Sequence, residues 1–388
     1  MVGGGPVGLL LGALLARAGL DVQVWEKRAA AASGSRAIGI HPPSLDVFAV
    51  VGADRPVLAE AALVRQGVAR SRGRTLGTLS FARASATHPY VVTLDQHRTE
   101  AILRDRLGAS DAAALRAGTE VVSLHRHRDH VDATGSGPGG ATVAVRASFV
   151  VGADGARSAV RELLGIRASG RDYPDRYVMG DFADPEPASR LESALVDVGP
   201  DGVVESFPLP GGRRRYVALE GREDDLRAPA WRPEAAPDPA AAAGLAAVVR
   251  RRTGAEPDPA TCSMTSGFGV RRRAAELIGT GRVVLIGDAA HEISPIGGQG
   301  MNLGWLDAAE LAPLLVDAVV TGDAGPWPAF ARRRASAARR AARQAEANMA
   351  LGRPAGPLAQ LGREAALRTA LALPSAHVLA SVYAMRWS

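Results

Sequence analysis

The spacing of apolar and polar residues in the first part of the chain predicts helices that alternate with strands. An apolar run of good helix formers, Leu9–Ala18, ends at Gly19, a residue type that commonly follows a helix. The next segment, Asp21–Glu26, alternates in the manner of a strand. Further apolar strands are predicted at 148–151 and 282–286, each before a turn with glycine. This order favours an α/β arrangement.

The central part of the chain has the pattern of an antiparallel sheet, and the last part has that of helices. From Leu303 onward the chain is predicted to be helical. The arginine- and alanine-rich stretch Ala329–Ala350 predicts a solvated helix packed on one side, with a helix lying on a membrane surface as the alternative. The predicted strands of the sheet, separated by turns with proline and glycine, are Tyr177–Phe182, Ser193–Val198, Gly202–Phe207 and Tyr216–Glu220.

Composition narrows the class of protein. The chain has 388 residues, of which 47% are hydrophobic and 22% are charged, and these values predict a folded protein with a large core and two domains. The one cysteine, Cys262, excludes an internal disulfide framework and favours a reducing, cytoplasmic location. No apolar stretch approaches the roughly 20 residues that span a bilayer, so no integral membrane segment is predicted.

The net charge of +6 does not indicate a surface for nucleic acid. Lys27 is the only lysine, and no basic stretch is interleaved with aromatic residues, so no nucleic-acid partner is expected. His125, His127 and His130 lie close together in the sequence. They lack a convincing acidic or cysteine partner, so no metal site is predicted.

Glycines near the start match GxGxxG, the spacing typical of a dinucleotide-binding turn. Gly3, Gly5 and Gly8 permit a tight turn and the close approach of a pyrophosphate to the N-terminus of the next helix. Glu26 lies about 20 residues further on, where a carboxylate can accept hydrogen bonds from ribose hydroxyls. These features predict a Rossmann-like unit.

The strand that enters this turn is short. Only Met1 and Val2 precede the first glycine, whereas a strand usually needs about five residues. We expect the natural chain to begin further upstream, and a shortened first strand is the alternative.

Two later turns also follow predicted strands and carry a carboxylate. Asp154 can hydrogen-bond a sugar or organise the loop, and a simple cap of the next helix is the alternative, because aspartate is favoured at that position. Gly287 is followed by Asp288, which can accept a hydrogen bond from a polyol hydroxyl. The segment 295–302 then enters a helix whose N–H groups could face the N1/C2-carbonyl edge of a flavin and stabilise its reduced, negative form. In this order, the three segments point to one FAD molecule.

With these motifs the chain resembles group A flavoprotein monooxygenases, the para-hydroxybenzoate hydroxylase-like family. Its three segments are similar to the dinucleotide, DG and GD motifs of that family, and Ser35–His41 and Asp95–Arg98 are similar to two further segments. The resemblance implies an α/β fold with a Rossmann-like FAD-binding domain, an inserted antiparallel-sheet substrate domain and C-terminal helices. The predicted divisions are a discontinuous FAD-binding domain (1–65, 95–170 and 268–328), a β-sheet substrate domain (66–94 and 171–267) and a C-terminal helical region (329–388).

The resemblance also implies roles for single residues. Arg36 would lie near the flavin and the substrate entrance, and Pro295 would lie near the reactive C4a edge, so these two are the predicted catalytic residues. Gln96 and Arg98 would contact the ribityl and pyrophosphate region, and Asp288 would hold the ribityl chain. The predicted cofactor-binding set is Gly3, Gly5, Gly8, Glu26, Arg36, Gln96, Arg98, Asp154, Gly287, Asp288, Gly298, Gly300, Met301 and Asn302.

The implied activity is an FAD-dependent monooxygenation with NAD(P)H as co-substrate. A C4a-hydroperoxyflavin would hydroxylate an aromatic or polyketide-like small molecule, the expected partner of the protein. The alternatives are an FAD-linked reductase of prenyl groups, a halogenase on the same fold, and a flavin-binding interaction protein without enzymatic activity. The family's additional thioredoxin-like domain, seen in some relatives, is not expected within this length.

The substrate side of the site is less defined by the sequence. His41 and His291 are candidates for a substrate base by location only, and a structural role is expected for both. Met179, Phe207 and Tyr216 are expected either to line a mainly aliphatic pocket or to belong to the core.

Overall fold

The protein is described here by a computed structural model that covers residues 1–30, 37–184, 192–220, 236–373 and 376–386. The strands are β1 (Val24–Glu26), β2 (Gly39–Ile40), β3 (Ala62–Val64), β4 (Gln66–Ser71), β5 (Arg74–Ser80), β6 (Val91–Thr93), β7 (Leu115–Ala117), β8 (Glu120–Arg126), β9 (Val131–Ser136), β10 (Thr142–Ala147), β11 (Val150–Gly152), β12 (Ala168–Ala183), β13 (Ser193–Gly199), β14 (Gly202–Leu209), β15 (Arg213–Leu219), β16 (Met264–Ala275), β17 (Gly279–Thr280), β18 (Val283–Leu285) and β19 (His291–Glu292). The helices are α1 (Pro6–Arg17), α2 (Pro42–Val50), α3 (Asp54–Glu60), α4 (Gln96–Ser110), α5 (Ala159–Leu163), α6 (Pro239–Thr253), α7 (Gln299–Thr321), α8 (Trp327–Gly352), α9 (Pro357–Ala372) and α10 (Ala376–Tyr383).

A mostly parallel sheet holds the start of the chain, in the order β7–β1–Val2–β11–β18–β17. Val2 lies between β1 and β11 and forms single parallel bridges to Trp25 and Gly152. Its amide donates to the Val151 carbonyl at 2.9 Å, and the Trp25 amide donates to the Met1 carbonyl at 2.8 Å. The first two residues therefore make the hydrogen bonds of the central strand position.

Helices α1 and α7 lie together against this sheet. Leu9, Leu10 and Leu11 of α1 are fully buried, and the Trp305 indole of α7 donates to the Pro6 carbonyl at 3.1 Å. The predicted turn, helix and strand at the start of the chain are confirmed, although only the last three residues of the predicted strand 21–26 are extended.

The large sheet forms a second layer, in the order β19–β16–β12–β15–β14–β13–β4–β5. All its neighbouring strands are antiparallel except β13 and β4. The four central strands expected from the sequence correspond to β12, β13, β14 and β15, which confirms the antiparallel sheet. β6 pairs with β2 and β3 in a small separate sheet, and β16 continues to Ala275, so the exact domain boundaries stay a prediction.

Alternation along its strands gives the large sheet two different faces. Val178, Phe182 and Tyr216 lie on one face and pack against Leu245 of α6. Met179, which lies between Val178 and Phe182 along β12, lies on the opposite face, towards a cavity. Helix α6 therefore covers one face of this sheet, and the other face borders the cavity.

Helix α6 was not predicted. The composition of 228–240, rich in proline and alanine, predicts a surface connection, and residues 228–235 of this segment lie outside the described ranges. Asp238 accepts a hydrogen bond from the Ala240 amide at 2.9 Å and Pro239 is the first helical residue, so this helix begins with two favourable residue types.

The C-terminal part consists of helices, as the sequence predicted. Helix α8 buries Ala337, Ala341 and Ala345 on one side while Arg339 and Arg340 are exposed, which confirms a helix packed on one side. Within the described residues no single helix has both the length and the apolar composition to cross a membrane. Pro357–Ala372 and His377–Tyr383 reach that composition only as a pair, bent by 103°.

The packing of α6 on the large sheet can be tested with Leu245→Ala. Leu245 is fully buried, so its truncation should lower the free energy of unfolding by about 2–5 kcal/mol. Leu358→Ala is the matched control: Leu358 is 86% exposed, and its truncation should change stability by less than about 0.5 kcal/mol. Urea denaturation measures both values. Equal stabilities for the two variants would contradict this packing.

Candidate active site

A cavity of about 1530 Å³ lies between the turns that follow the parallel strands and one face of the large sheet. Its volume exceeds the roughly 300–1,000 Å³ that one drug-sized ligand occupies. All three sequence motifs contribute to one part of its wall, and side chains of the large sheet form another part. The cavity therefore has room for two ligands side by side.

The glycine turn before α1 brings backbone into this wall. Gly3 has a φ of +105°, and a Cβ atom there would lie 2.4 Å from the Ala153 carbonyl oxygen. A Cβ atom on Gly8 would lie 1.9 Å from the Gly3 carbonyl oxygen, so neither position admits a side chain. Gly3 and Gly5 line the cavity, whereas Gly8 lies beneath the turn. Helix α1 begins at Pro6 without a side-chain cap, which leaves its N-terminus open to an anion.

Glu26, at the end of β1, is fixed beside this turn. Its Oε2 accepts from the Gly4 amide at 2.8 Å, and its Oε1 accepts from the Arg28 amide at 2.9 Å and from Arg28 Nε at 2.8 Å. Burial acts to raise the pKa of Glu26, but the hydrogen bonds and the Arg28 charge outweigh it and hold that pKa below its usual value. An ionised, oriented carboxylate therefore lines the cavity.

Asp154 organises the turn after β11. It accepts hydrogen bonds from the Ser158 hydroxyl at 2.6 Å and from the Val160 amide at 3.0 Å. The Ser158 oxygen in turn accepts from the Arg161 amide, and the Arg161 guanidinium donates to the Ala289 carbonyl at 3.1 Å. Of the two roles that the sequence left open, the structure shows the organisation of the turn, and Asp154 also lines the cavity.

Asp288, in the turn after β18, has no such partners. Burial, together with the nearby Glu292 carboxyl, raises the pKa of Asp288 to about 6. Its carboxyl lines the cavity and has no hydrogen bond within the described ranges. The Asp288 side chain is exposed to the cavity, so a ligand hydroxyl at this position would supply the missing hydrogen-bond partner.

Beneath this turn lies a buried charge network, the Asp307 hub, formed by Asp307, His291 and Arg334. Asp307 Oδ2 accepts from the Gly287 amide at 2.9 Å and lies 2.7 Å from His291 Nε2, and Oδ1 accepts from Arg334 Nε at 2.6 Å. Burial acts to raise the pKa of Asp307, but the two cations outweigh it and lower that pKa. Burial acts to lower the pKa of His291, but Asp307 outweighs it and raises that pKa. This hub was not predicted from the sequence. Its signal in the sequence was an acidic residue, Asp307, within the apolar run of α7.

The N-terminus of α7 forms the next part of the wall. Gly298 precedes the helix with a φ of +68°, in the left-handed region that favours glycine. The residues of this segment that line the cavity include four of the predicted ones: Pro295, Gly298, Gly300 and Met301.

Asn302, from the same predicted set, lies outside the cavity wall and is fully buried. Its Oδ1 accepts from the His41 amide and from the Ser44 hydroxyl, both at 2.8 Å, and its Nδ2 donates to the carbonyls of Gly39 and Gly298, both at 2.9 Å. The structure thus shows Asn302 joining α7 to the start of α2.

The remaining predicted residues differ in their position. Gln96 lines the cavity and donates to Glu100 Oε1 at 2.8 Å. Glu100 also lines it, and sequence analysis missed this residue, whose pKa is raised by burial. Arg98 lies outside the wall and pairs with Glu60 at 2.8 Å and 2.9 Å. Arg36 lies outside the described residues, so its role stays a prediction.

The two candidate histidines have distinct surroundings. His41 lines the cavity, and burial lowers its pKa to about 4, so its imidazole is neutral at physiological pH and a weak base. His291 belongs to the Asp307 hub and lies outside the cavity wall. Neither histidine has the position and basicity expected of a substrate base.

The prediction that the histidines at 125, 127 and 130 lack an acidic partner was wrong. Asp132 Oδ2 lies 3.1 Å from His127 Nε2 and 3.6 Å from His130 Nε2, because β8 and β9 pair across the turn between them. The ligand atoms of these three residues lie within 4.8 Å of one another, a spacing compatible with a divalent ion. The absence of a metal therefore stays a prediction.

The residues that line the cavity fit FAD. The glycine turn leaves space where a Cβ atom would obstruct a pyrophosphate, and the N-terminus of α1 lies beside that space. Glu26 is ionised next to the turn, and the unpaired Asp288 faces the same cavity. Together these groups supply sites for a phosphate, a ribose and a polyol chain.

The structural role of the hub can be tested with Asp307→Asn. Loss of this charge leaves Arg334 buried without its closest carboxylate, so the free energy of unfolding should fall by about 3–5 kcal/mol at neutral pH. Because the pKa of Asp307 lies below its ordinary value, the difference should shrink as the pH falls and the wild-type carboxyl takes up a proton. Glu310→Gln removes a more exposed partner of Arg334 and should cost less than about 1 kcal/mol. Equal effects in urea denaturation would contradict the central role of Asp307.

Comparison with known proteins agrees with the fit to FAD. The family described as FAD binding domain matches residues 1–345. Over 323 residues the chain is 33% identical to 6-methylpretetramide 4-monooxygenase of Streptomyces rimosus, which covers 82% of this chain and 55% of that protein. It is similar to the crystal structure of p-nitrophenol 4-monooxygenase from Pseudomonas putida DLL-E4, with a TM-score of 0.84, 24% identity, and coverage of 100% and 94% of the two chains. It is also similar to aklavinone-11 hydroxylase in complex with FAD and aklavinone, with a TM-score of 0.74, 28% identity, and coverage of 91% and 68%.

These likenesses differ in what they establish. The likeness to p-nitrophenol 4-monooxygenase shows a shared fold, and the chain spans 55% and 63% of the length of the first two curated relatives. The family match covers most of the chain, and the cavity carries the groups that FAD needs. The chain belongs to the FAD binding domain family, and its cofactor is FAD.

Proposed function

We propose that this protein is a monooxygenase that uses FAD and NAD(P)H to hydroxylate an aromatic or polyketide-like small molecule. One observation carries the proposal: the cavity lined by the three FAD-type motifs continues as a single space onto the apolar face of the large sheet. A second ligand can therefore lie against the flavin end of the cofactor. The relatives described above, which are named as monooxygenases or hydroxylases, support this assignment.

The first part of the wall would hold the cofactor. Gly3 and Gly5 would receive the pyrophosphate, and Glu26 would accept hydrogen bonds from the ribose of the adenosine. Asp288 would accept hydrogen bonds from the ribityl chain. The remaining assigned groups, which support or line the same path, are Gly8, Gln96, Asp154, Gly287, Pro295, Gly298, Gly300 and Met301.

The chain contributes position, charge and exclusion of water to the reaction. When bound, FAD supplies the chemistry of accepting a hydride from NAD(P)H and activating oxygen for transfer to an electron-rich ring. The N-terminus of α7, which begins at Gln299, carries a partial positive charge that would favour the negative charge of the reduced cofactor. The sheet face beside it keeps the second ligand away from water.

The second part of the wall would hold the substrate. Side chains of the large sheet that line it include Met179, Val196, Val203 and Val217, so the surface is mainly aliphatic. Met179 and Phe207 were considered as pocket residues and both line the cavity. Tyr216 instead packs against Phe182 on the α6 face, at 6.0 Å between ring centroids.

Absorbance of the purified protein with added FAD, followed by NADH and NADPH oxidation with a panel of phenols and polyketide aromatics, tests the function. We expect bound FAD, faster oxidation with at least one phenol, and a product heavier by one oxygen atom. A product that gains hydrogen would indicate a reductase, and one that gains a halogen would indicate a halogenase. FAD binding without substrate-stimulated oxidation would indicate a flavin-binding protein, and failure to bind FAD would overturn the assignment.

The role of Asp288 can be tested with Asp288→Ala. The ribityl hydroxyl would lose its partner, so the Kd for FAD should rise about 10- to 100-fold, equivalent to about 1–3 kcal/mol. Since the Asp288 side chain is exposed to the cavity and makes no hydrogen bond within the described ranges, the FAD-free variant should be about as stable as the wild type. Asp129→Ala, at an exposed turn, is the control. Flavin fluorescence titration measures the affinity, and an unchanged Kd would remove Asp288 from the cofactor site.

A further inference from the structure

The cavity face of the large sheet carries one acidic side chain in an apolar row. Strand register places Glu205 of β14 opposite Val196 of β13 and opposite Val217 of β15, and Val217 is opposite Met179 of β12. All four side chains line the cavity. Glu205 therefore projects from the middle of an aliphatic wall, in the part of the cavity assigned to the substrate.

This carboxyl lacks the partners that the other buried charges of the sheet have. Arg215, in the neighbouring row, forms a bidentate pair with Asp181 at 2.6 Å and 2.8 Å. Within the described ranges Glu205 has no hydrogen bond and no ion pair, and burial raises the pKa of its carboxyl to about 7. The Glu205 side chain is half-buried at the cavity wall and makes no contact that fixes another segment, so a structural role does not account for it.

The groups around Glu205 leave its ionisation free to respond to a ligand. Burial and the Glu205 charge raise the pKa of Tyr177 on β12 and raise that of Tyr383 on α10 to about 12, so both phenols stay neutral near pH 7. The Tyr383 hydroxyl donates to Asn348 Oδ1 at 2.9 Å. Asp175, which also raises the pKa of Tyr177, is paired with Arg353 at 2.9 Å and 2.7 Å.

We propose that Glu205 binds a phenolic hydroxyl of the substrate and accepts its proton during hydroxylation. This inference rests on the proposed function. In the proton transfer the O–H bond of the phenol breaks and an O–H bond forms on the Glu205 carboxylate. The electron pair left on the phenolic oxygen delocalises into the ring and makes its ortho and para carbons more nucleophilic. The proton leaves the carboxyl when the product is released.

The same position limits the class of substrate. A carboxylate group on the ligand would be repelled by ionised Glu205 in this water-poor wall, so an uncharged phenol is favoured over a hydroxybenzoate. The aliphatic neighbours Val196, Val217 and Met179 favour a broad apolar ring system. We expect a phenol of fused rings, and 2-naphthol is a suitable probe because it is uncharged at neutral pH and its methyl ether, 2-methoxynaphthalene, lacks the donor.

The binding step can be tested on the FAD-loaded protein without NAD(P)H. Wild type should bind 2-naphthol at least about 10-fold more tightly than 2-methoxynaphthalene, as a hydrogen bond to a charged group allows. Glu205→Leu should reduce this preference to less than about 2-fold, while Glu276→Leu, a change of an exposed glutamate outside the cavity wall, should retain it.

Two results would overturn the binding step. One is an unchanged preference in Glu205→Leu. The other is a wild-type protein that binds neither compound or binds both equally. Because FAD content and NAD(P)H oxidation are measured separately, each result can be distinguished from a failure of the proposed function.

The proton transfer can be tested with Glu205→Gln and the phenol that is hydroxylated fastest in the panel described above. Glutamine retains a hydrogen-bonding group but cannot take up the proton, so kcat should fall about 100-fold while KM changes little. Wild-type kcat should rise with pH through about 7 as the carboxyl ionises, and this rise should be absent in the variant. Bound FAD should be unchanged in both. A variant with wild-type kcat and the same pH profile would overturn the role of Glu205 as a base.

Discussion

The buried carboxylate of Asp307 is the interaction on which the geometry of the site depends most. It accepts the Gly287 amide in the turn after β18 and holds His291 after that turn and Arg334 of α8. A carboxylate inside a protein is stable only if its charge and its hydrogen-bonding capacity are both satisfied. Here the requirement is met by one backbone group and two cations, so the turn that carries Asp288, helix α7 and helix α8 are fixed relative to one another.

Consecutive side chains of a strand in the large sheet lie on opposite faces and therefore have different roles. The consecutive residues Arg214 and Arg215 of β15 point to opposite faces. Arg214 pairs with Asp184 at 2.6 Å, and Arg215 pairs with Asp181 at the face that lines the cavity. The α6 face is closed by packing around Leu245, so the opposite face is the one left open to a ligand.

Acidic side chains with hydrogen-bond partners and those without have different roles in this site. Asp307, Asp154 and Glu26 are held by hydrogen bonds and fix backbone turns. Asp288 and Glu205 face the cavity without such partners, and burial raises the pKa of both. Neither side chain is closed off from the cavity, so a ligand bound there can supply the missing partner. The two acids lie in the parts of the wall assigned to the cofactor and to the substrate.

Local sequence determined the elements of this protein and the position of its cofactor motifs. The apolar run of α1, the alternation in β12 to β15 and the glycines at 3, 5 and 8 are properties of neighbouring residues, and neighbouring residues set periodicity and turn conformation. Arg98 shows that a motif does not determine what a side chain contacts. Its position in the sequence matches the family's segment, but its guanidinium pairs with Glu60, 38 residues away.

Tertiary structure decided which side chains meet. In the sequence of β14, Glu205 lies two positions from Val203 and two from Phe207, so the three share one face. Only the pairing of β14 with β13 and β15 and the placing of α6 on the other face direct Glu205 into the cavity. Asp307 and Arg334 are likewise unremarkable in their own helices and become a hub only when α7 and α8 pack together. The physical reason is the same in both cases: burial and charge pairing depend on contacts between segments that are far apart in the chain, whereas periodicity depends on neighbours.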